Sequence, residues 1–125
     1  MRIGEVRAQE KTRFGKPLDG VRVLAIEQMQ ALPYGTQLMA HLGADMVKIE
    51  HPVHGDSGRD AQPRIPDADD RQVGATYLRN NLSKRSIGID LKQEAGVDLV
   101  KRMLPRFDVV AENFTPGVMD RLGLS

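Results

Sequence analysis

The sequence has 125 residues, which is enough for one domain with a hydrophobic core but not for two. Its 18 Lys and Arg residues nearly balance its 17 Asp and Glu residues, and a formal net charge of +1 argues against nucleic-acid binding, which usually needs a strongly basic face. The lack of cysteine excludes a disulfide scaffold, a thiolate zinc site and a cysteine nucleophile. No apolar run is long enough to cross a membrane and residues 1–20 do not resemble a signal peptide, so we expect a cytoplasmic protein without a membrane partner.

The first predicted elements form a β-α-β unit. Residues 21–27 (VRVLAIE) are a short β-branched, apolar run that follows the turn residues of 17–20, which predicts a buried strand. Pro33 suits the first turn of the helix that follows, and Gly43 can end that helix in a left-handed conformation. Residues 44–50 (ADMVKIE) predict a second strand. A crossover of this kind almost always joins two parallel strands.

The rest of the chain continues the alternation of strands and helices. Residues 51–74 are polar and rich in proline and glycine, which predicts a long loop, and such loops are usually functional or mobile. Residues 85–91 predict a third strand, residues 93–104 an amphipathic helix, and residues 107–112 a fourth strand. Thr115 is the predicted N-cap of a last, short helix. These elements together predict an α/β fold with a mainly parallel sheet and flanking helices.

Parallel sheets bind ligands at the carboxyl ends of their strands, which directs attention to residues 28–33, 50–59 and 112–117. A dinucleotide-binding fold would need Gly-x-Gly-x-x-Gly after the first strand, but the sequence there is QMQALP and the next glycine is Gly35. The phosphate-binding pattern Gly-x-x-x-x-Gly-Lys-Ser/Thr is also missing from the sequence. Of the common nucleotide-binding folds, only a degenerate nicotinamide-binding domain stays open.

Short segments along the chain, taken in order, resemble one protein family. They are PLDGVRVL at 17–24, LGADMVKIE at 42–50, GD-x-x-R at 55–59, NLSKRS with DLK between 81 and 92, and ENFTPG with RLGL between 112 and 124. Each segment alone is a weak signal, whereas their order along the chain is similar to that of the family III CoA-transferases. The resemblance covers residues 17–125 as an incomplete CoA-binding portion, and it leaves residues 1–16 as an N-terminal arm.

The resemblance implies a function and an assembly. Transferases of this family move CoA between carboxylic acids through anhydride and thioester intermediates on an aspartate, and related members are α-methylacyl-CoA racemases. Known members have a Rossmann-like large domain and form dimers of two interlocked chains. The resemblance places the catalytic aspartate downstream of Leu124, so we expect no catalytic residue in this chain. We expect CoA or acyl-CoA and a carboxylic acid as substrates, no metal, and a homodimer. A racemase fragment and a non-catalytic CoA-binding module remain alternatives.

The same resemblance assigns positions that contact CoA, namely Gln30, Ala31, His51, Asn81, Lys84, Asn113, Phe114 and Arg121. Gln30 and Ala31 match a loop beside the thiol end of CoA, where the Gln30 amide could hold an acyl oxygen. Many members have arginine or proline at the position of His51, and arginine is frequent at the position after Phe114, so this chain offers fewer cations to the phosphates. A solvated Lys84 and a core role for Phe114 are the structural alternatives.

Three residues of the predicted loop allow another interpretation. A metal site formed by His51, His54 and Asp56 is conceivable from residue type, but a loop cluster of this kind carries little weight and we expect no metal. Asp56 and Arg59 could also be read as a paired acid and base. We expect them instead to order the long loop, because no other candidate catalytic group converges there.

Overall fold

The computed structural model describes residues 15–125 and contains one sheet of four parallel strands and one antiparallel hairpin. The strands are β1 (Arg22–Ile26), β2 (Asp45–Glu50), β3 (Arg64–Pro66), β4 (Gln72–Gly74), β5 (Arg85–Gly88) and β6 (Val109–Glu112). The helices are α1 (Ala31–His41), α2 (Ala75–Asn80), α3 (Glu94–Met103) and α4 (Val118–Arg121). Within this part of the chain, no helix is long and apolar enough to span a membrane. The predicted α/β class with a mainly parallel sheet is confirmed.

Strand β1 is the centre of the fold. Val23 pairs with Met46 of β2 on one side and with Val109 of β6 on the other, and Val23, Leu24 and Ala25 are all 0% exposed. Alternate side chains of β1 enter two separate core clusters. One cluster, with Val23, packs under α1, and the other, with Leu24, packs under α3 and includes its Val100. Burial of a side chain the size of valine or leucine contributes about 2 kcal/mol to folding, so both core clusters stabilise the packing of helices on the sheet.

The order of the parallel strands is β5-β2-β1-β6. The chain therefore builds outward from β1 through β2 to β5, and then returns to place β6 on the opposite side of β1. Strand order reverses between β1 and β6, and in open parallel sheets ligands bind at the carboxyl ends next to such a reversal. The loops that follow β1 and β6 are consequently the first place to look for a site.

The structure differs from the sequence predictions in the polar stretch and at the last helix. Residues 51–74 are not one loop, because Ser57–Asp60 form a 3-10 turn and β3 and β4 pair with each other. Helix α2 follows directly and was not predicted, since its six residues are too few to show a helical period. The prediction that Thr115 is an N-cap was wrong: α4 begins after Gly117, whose φ of 81° is left-handed. Residues 1–14 of the predicted arm lie outside the described residues.

Candidate functional site

A groove of about 220 Å³ lies at the carboxyl ends of the parallel strands. Its apolar wall contains Ile26, Ile49, Ile89 and Phe114, which lie at or just beyond the ends of β1, β2, β5 and β6, together with Leu91, Val118 and Leu122. Polar and charged residues complete the lining: Glu27, Gln28, Glu50, His51, Asp90 and Lys92. An apolar surface with a few polar groups around it is the usual form of a small-molecule site.

Asn113 connects the loops that follow β1 and β6. Its Oδ1 accepts a hydrogen bond from the backbone N–H of Gln28 at 3.0 Å, and its Nδ2 donates to the Gln28 carbonyl at 3.1 Å. The side-chain amide thus pairs with backbone in the way a neighbouring strand would, just beyond the last β1–β6 pair. Phe114 comes next, packs against the core cluster that contains Leu24, and lines the groove. Phe114 is therefore part of both the core and the groove wall.

Gln30, the last residue of the loop after β1, and Ala31, the first residue of α1, are both exposed and follow the groove-lining Gln28 by two and three positions. Met29, which precedes them, has a φ of 66°, a left-handed conformation that costs a residue with a Cβ about 1–2 kcal/mol. The backbone N–H of Met29 donates to Asp56 Oδ1 at 3.0 Å. A hydrogen bond from a distant part of the chain therefore holds this strained residue.

Behind the groove lies a buried set of charged and polar side chains that we call the lysine cluster: Glu27, Lys48, Asp56, Asn81 and Lys84. The ammonium group of Lys48 and the carboxylate of Asp56 form an ion pair, and these side chains are 1% and 0% exposed. Lys48 also donates to Asn81 Oδ1 at 3.0 Å and lies 3.8 Å from Glu27 Oε1. Charges buried this deeply are tolerated only when they are paired and hydrogen-bonded, as these are.

Lys84 belongs to this cluster rather than to the surface, since its side chain is only 2% exposed. Its Nζ donates to Glu27 Oε1 at 2.7 Å, to the Pro33 carbonyl at 2.8 Å and to Asn81 Oδ1 at 3.2 Å. Burial lowers the pKa of Lys84, and its hydrogen bond to Glu27 opposes that effect. An ammonium group has three hydrogens to donate, and all three have acceptors here. The alternative that Lys84 is a solvated surface side chain is therefore wrong. The predicted contacts of Lys84 and Asn81 with CoA stay predictions.

Glu50 organises the start of the predicted loop. Its carboxylate accepts two hydrogen bonds from Arg59, at 2.7 and 2.9 Å, and others from the Asp56 N–H, the Tyr77 hydroxyl and the Ser86 hydroxyl. Burial by itself would raise the pKa of Glu50, but the hydrogen bonds from Arg59, Ser86 and Tyr77 outweigh it and lower the pKa from 4.5 to about 2. Burial, followed by the hydrogen bond to Glu50, raises the pKa of Tyr77 well above its usual range. The prediction that Asp56 and Arg59 order this region is confirmed by these contacts.

His51 lies at the rim of the groove. Its Nδ1 accepts hydrogen bonds from the backbone N–H groups of Val53 and His54, both at 3.2 Å, and its ring stacks on that of His54 with 4.8 Å between the centroids. The carboxylate of Asp56 is bonded to Lys48 inside the lysine cluster, so the three residues considered for a metal do not converge. In residues 15–125 we find no group of three or more His, Asp or Glu side chains placed to hold a metal ion.

Two solvent-facing cations border the groove. Lys92 is part of its lining, and Arg121 is exposed on α4, between the lining residues Val118 and Leu122. Only Arg121 was predicted from the sequence. Lys92 sits in the DLK segment that carried the resemblance, so a basic residue at a strand-to-helix junction was the available signal.

The sequence predictions also missed Glu27, Lys48 and Tyr77. A usable signal existed for Lys48, because a lysine inside a strand that is covered on both faces must have a buried acidic partner. Tyr77 carried no comparable signal, since its helix, α2, was itself not predicted.

Comparison with known proteins decides the family. The family model of CoA-transferase family III matches residues 18–125. This chain belongs to CoA-transferase family III. It is 42% identical over 110 residues to a formyl-CoA:oxalate CoA-transferase of Streptomyces coelicolor, which covers 88% of this chain and 26% of that protein. A protein of the same name from Rhodopseudomonas palustris is 43% identical over 110 residues, covering 88% of this chain and 25% of that one.

Solved structures of the family have the same fold. A CaiB/BaiF family protein from Brucella suis superposes with a TM-score of 0.79 at 39% identity, covering 88% of this chain and 29% of that one. A hypothetical protein from Mycobacterium tuberculosis superposes with a TM-score of 0.77 at 38% identity, covering 89% and 29%. The chain spans about a quarter of the length of the curated relatives it matches. The family and fold predictions are thus confirmed, with the match confined to one part of the relatives.

Proposed function

We propose that this chain is the CoA-binding part of an enzyme that transfers CoA between carboxylic acids. The observation that carries the proposal is the groove lined by Phe114 and Lys92 at the carboxyl ends of the sheet, with Arg121 in the helix α4 that adds Val118 to the lining, in a chain of CoA-transferase family III. CoA needs an apolar surface for its adenine or pantetheine and cations for its phosphates. Phe114 supplies the first, and Lys92 and Arg121 supply the second.

The predicted CoA-contacting residues divide into two groups under this proposal. His51, Asn113 and Phe114 lie at or next to the groove, whereas Asn81 and Lys84 act from the lysine cluster behind it. Glu27 links the two groups, because it lines the groove and also accepts the hydrogen bond from Lys84. Asn81 and Lys84 would thus shape the floor of the groove rather than meet a phosphate directly.

The proposed chemistry lies outside the residues of this chain. Acyl transfer would proceed through anhydride and thioester intermediates on an aspartate that the family resemblance places downstream of Leu124. Gln30, which is exposed two positions after the groove-lining Gln28, would donate its amide N–H to the acyl oxygen. The names of the curated relatives make formyl-CoA and oxalate the first substrate pair to test, and they favour a transferase over the racemase alternative. The homodimer and the cytoplasmic location stay predictions.

Calorimetric titration of the 125-residue chain with CoA tests the proposal. The paired substitution Lys92→Ala and Arg121→Ala should weaken CoA binding by more than about tenfold, because each cation forms a charge-assisted contact with a phosphate. The matched control is Arg102→Ala with Arg106→Ala, which removes the same charge from exposed positions in and after α3. No binding of CoA, or equal binding by the two paired variants, would contradict the proposal.

Two further measurements separate the alternatives. Competition between NAD and CoA for the same groove would favour the degenerate nicotinamide-binding domain. CoA transfer from formyl-CoA to oxalate by this chain alone is expected to be absent, and its presence would contradict the placement of the aspartate downstream of Leu124.

A further inference from the structure

Asp56 occupies an unusual place in the lysine cluster, because it contacts the surface loop of the groove as well as the buried lysine. Its Oδ2 pairs with Lys48, while its Oδ1 accepts hydrogen bonds from the backbone N–H groups of Met29 at 3.0 Å and Gly58 at 2.7 Å. The Asp56 side chain is 0% exposed. One buried carboxylate therefore connects β2, the 3-10 turn at Ser57–Asp60 and the loop that follows β1.

The loop that receives this contact is held in a conformation it would otherwise avoid. Met29 has a φ of 66° although it is not glycine, and its side chain is 45% exposed, so side-chain packing does little to enforce the conformation. The neighbouring Ser57 hydroxyl adds a weaker contact to Gln28 Oε1 at 3.3 Å. The hydrogen bond to Asp56 is accordingly the principal restraint on the residue that precedes Gln30.

We propose that Asp56 is a positioning residue for the thioester end of the site, acting through Met29 on Gln30. The inference rests on the proposed function, since it requires that Gln30 face the acyl group of a bound CoA thioester. The ion pair with Lys48 holds the Asp56 carboxylate through Oδ2, and Oδ1 of the same carboxylate holds the Met29 N–H through a hydrogen bond. Release of that N–H lets Met29 relax to a negative φ, which moves Gln30, the next residue, out of the position that the acyl group requires.

Two double variants isolate the hydrogen bond from the buried charge. Lys48→Met with Asp56→Asn removes both charges but keeps an oxygen that can accept from Met29. Lys48→Met with Asp56→Ala removes both charges and the acceptor. Since both variants lose the same ion pair, a difference between them reports the hydrogen bonds that Asp56 Oδ1 accepts from Met29 and Gly58, and exchange of the Met29 amide then singles out the contact with Met29.

The readout is the affinity of each variant for acetyl-CoA and for adenosine 3′,5′-bisphosphate, which carries only the nucleotide end of CoA. The alanine variant should bind acetyl-CoA about fivefold more weakly than the asparagine variant, the value for one lost hydrogen bond, while binding the bisphosphate equally well. In hydrogen exchange, the Met29 amide should exchange at least about fivefold faster in the alanine variant. A role confined to stability would weaken both ligands alike.

Several results would overturn the inference. They are equal acetyl-CoA affinity of the two double variants, a parallel loss for both ligands, or unchanged exchange of the Met29 amide. If the alanine variant does not fold, Met29→Pro in the unsubstituted chain serves instead, because proline lacks the N–H and cannot adopt a positive φ. It should show the same selective loss for acetyl-CoA, and equal losses for both ligands would refute the role. If the unsubstituted chain binds neither ligand, the proposed function itself fails and this inference falls with it.

Discussion

Replacing Glu50 by glutamine should remove a large part of the stability of the fold at neutral pH. Glutamine has the size of glutamate but is neutral, as the protonated acid is. Arg59 then loses its paired carboxylate, and the hydroxyls of Tyr77 and Ser86 lose a charged acceptor. The Glu50 side chain is only 4% exposed, so water cannot replace these contacts.

The size of the effect follows from the pKa of Glu50. Hydrogen bonds lower this pKa from 4.5 in the unfolded chain to about 2 in the fold, which corresponds to about 3 kcal/mol of stability. Because the folded pKa is the lower one, this stability is fully present above pH 4.5 and is lost as the pH falls toward 2. The unfolding free energy of Glu50→Gln should therefore be about 3 kcal/mol below that of the unsubstituted chain at pH 7, and the gap should close in acid.

Urea denaturation followed by circular dichroism at pH 7, 5, 4 and 3 measures both features. Glu94→Gln is the matched control, since Glu94 is exposed in the first turn of α3 and its loss should cost under about 0.5 kcal/mol at every pH. A gap for Glu50→Gln below about 1 kcal/mol at pH 7, or one that stays constant between pH 5 and 3, would refute the reasoning.

Three other substitutions test the Glu50–Arg59 pair and the packing of α3 and α1. Arg59→Lys should lower the unfolding free energy by about 1–2 kcal/mol. An ammonium group cannot bind Glu50 with two parallel hydrogen bonds, nor can it stack on the Tyr77 ring as the planar guanidinium can, whose Cζ lies 3.9 Å from the ring centroid. Urea denaturation measures the change in unfolding free energy, and a change near zero would contradict a stabilising role of the Arg59–Glu50 pair. Gly96→Ala in α3 should destabilise the fold by more than about 2 kcal/mol, because its Cβ would lie 2.1 Å from the Asp90 carbonyl oxygen. Gly35→Ala in α1 meets nothing within 4 Å and should stabilise by up to about 1 kcal/mol; equal melting temperatures for the two variants would contradict this.

The sequence by itself determined the fold class and the family of this protein. Strand β1 is covered on both faces and contains an unbroken apolar run, which can be recognised without a structure. Strand β2 was recognised from its apolar residues Met46, Val47 and Ile49 although Lys48 lies among them. Helices α1 and α3 are long enough to show a helical period. The family resemblance needed only short segments in the right order.

The geometry of the site was decided by tertiary structure. The contact between Asn113 and Gln28 spans 85 positions of sequence, and it exists because the last strand, β6, returns to lie beside the first. Strand order is not encoded in any local period, so the sequence could propose Asn113 as a site residue but not identify its partner. The short elements α2, β3 and β4 were missed because each has only three to six residues and is stabilised by contacts with other elements rather than by its own pattern.

Lys84 shows most clearly that the sequence does not identify the partners of a charged side chain. Its neighbours in sequence are polar and charged, which allowed either a solvated cation or a phosphate ligand. The fold instead places its amine against Glu27 and the Pro33 carbonyl, 57 and 51 positions away, where burial requires every hydrogen to find an acceptor. Whether a charged side chain faces water or a buried partner depends on what the rest of the chain brings to it, and that is set only when the sheet and its helices have assembled.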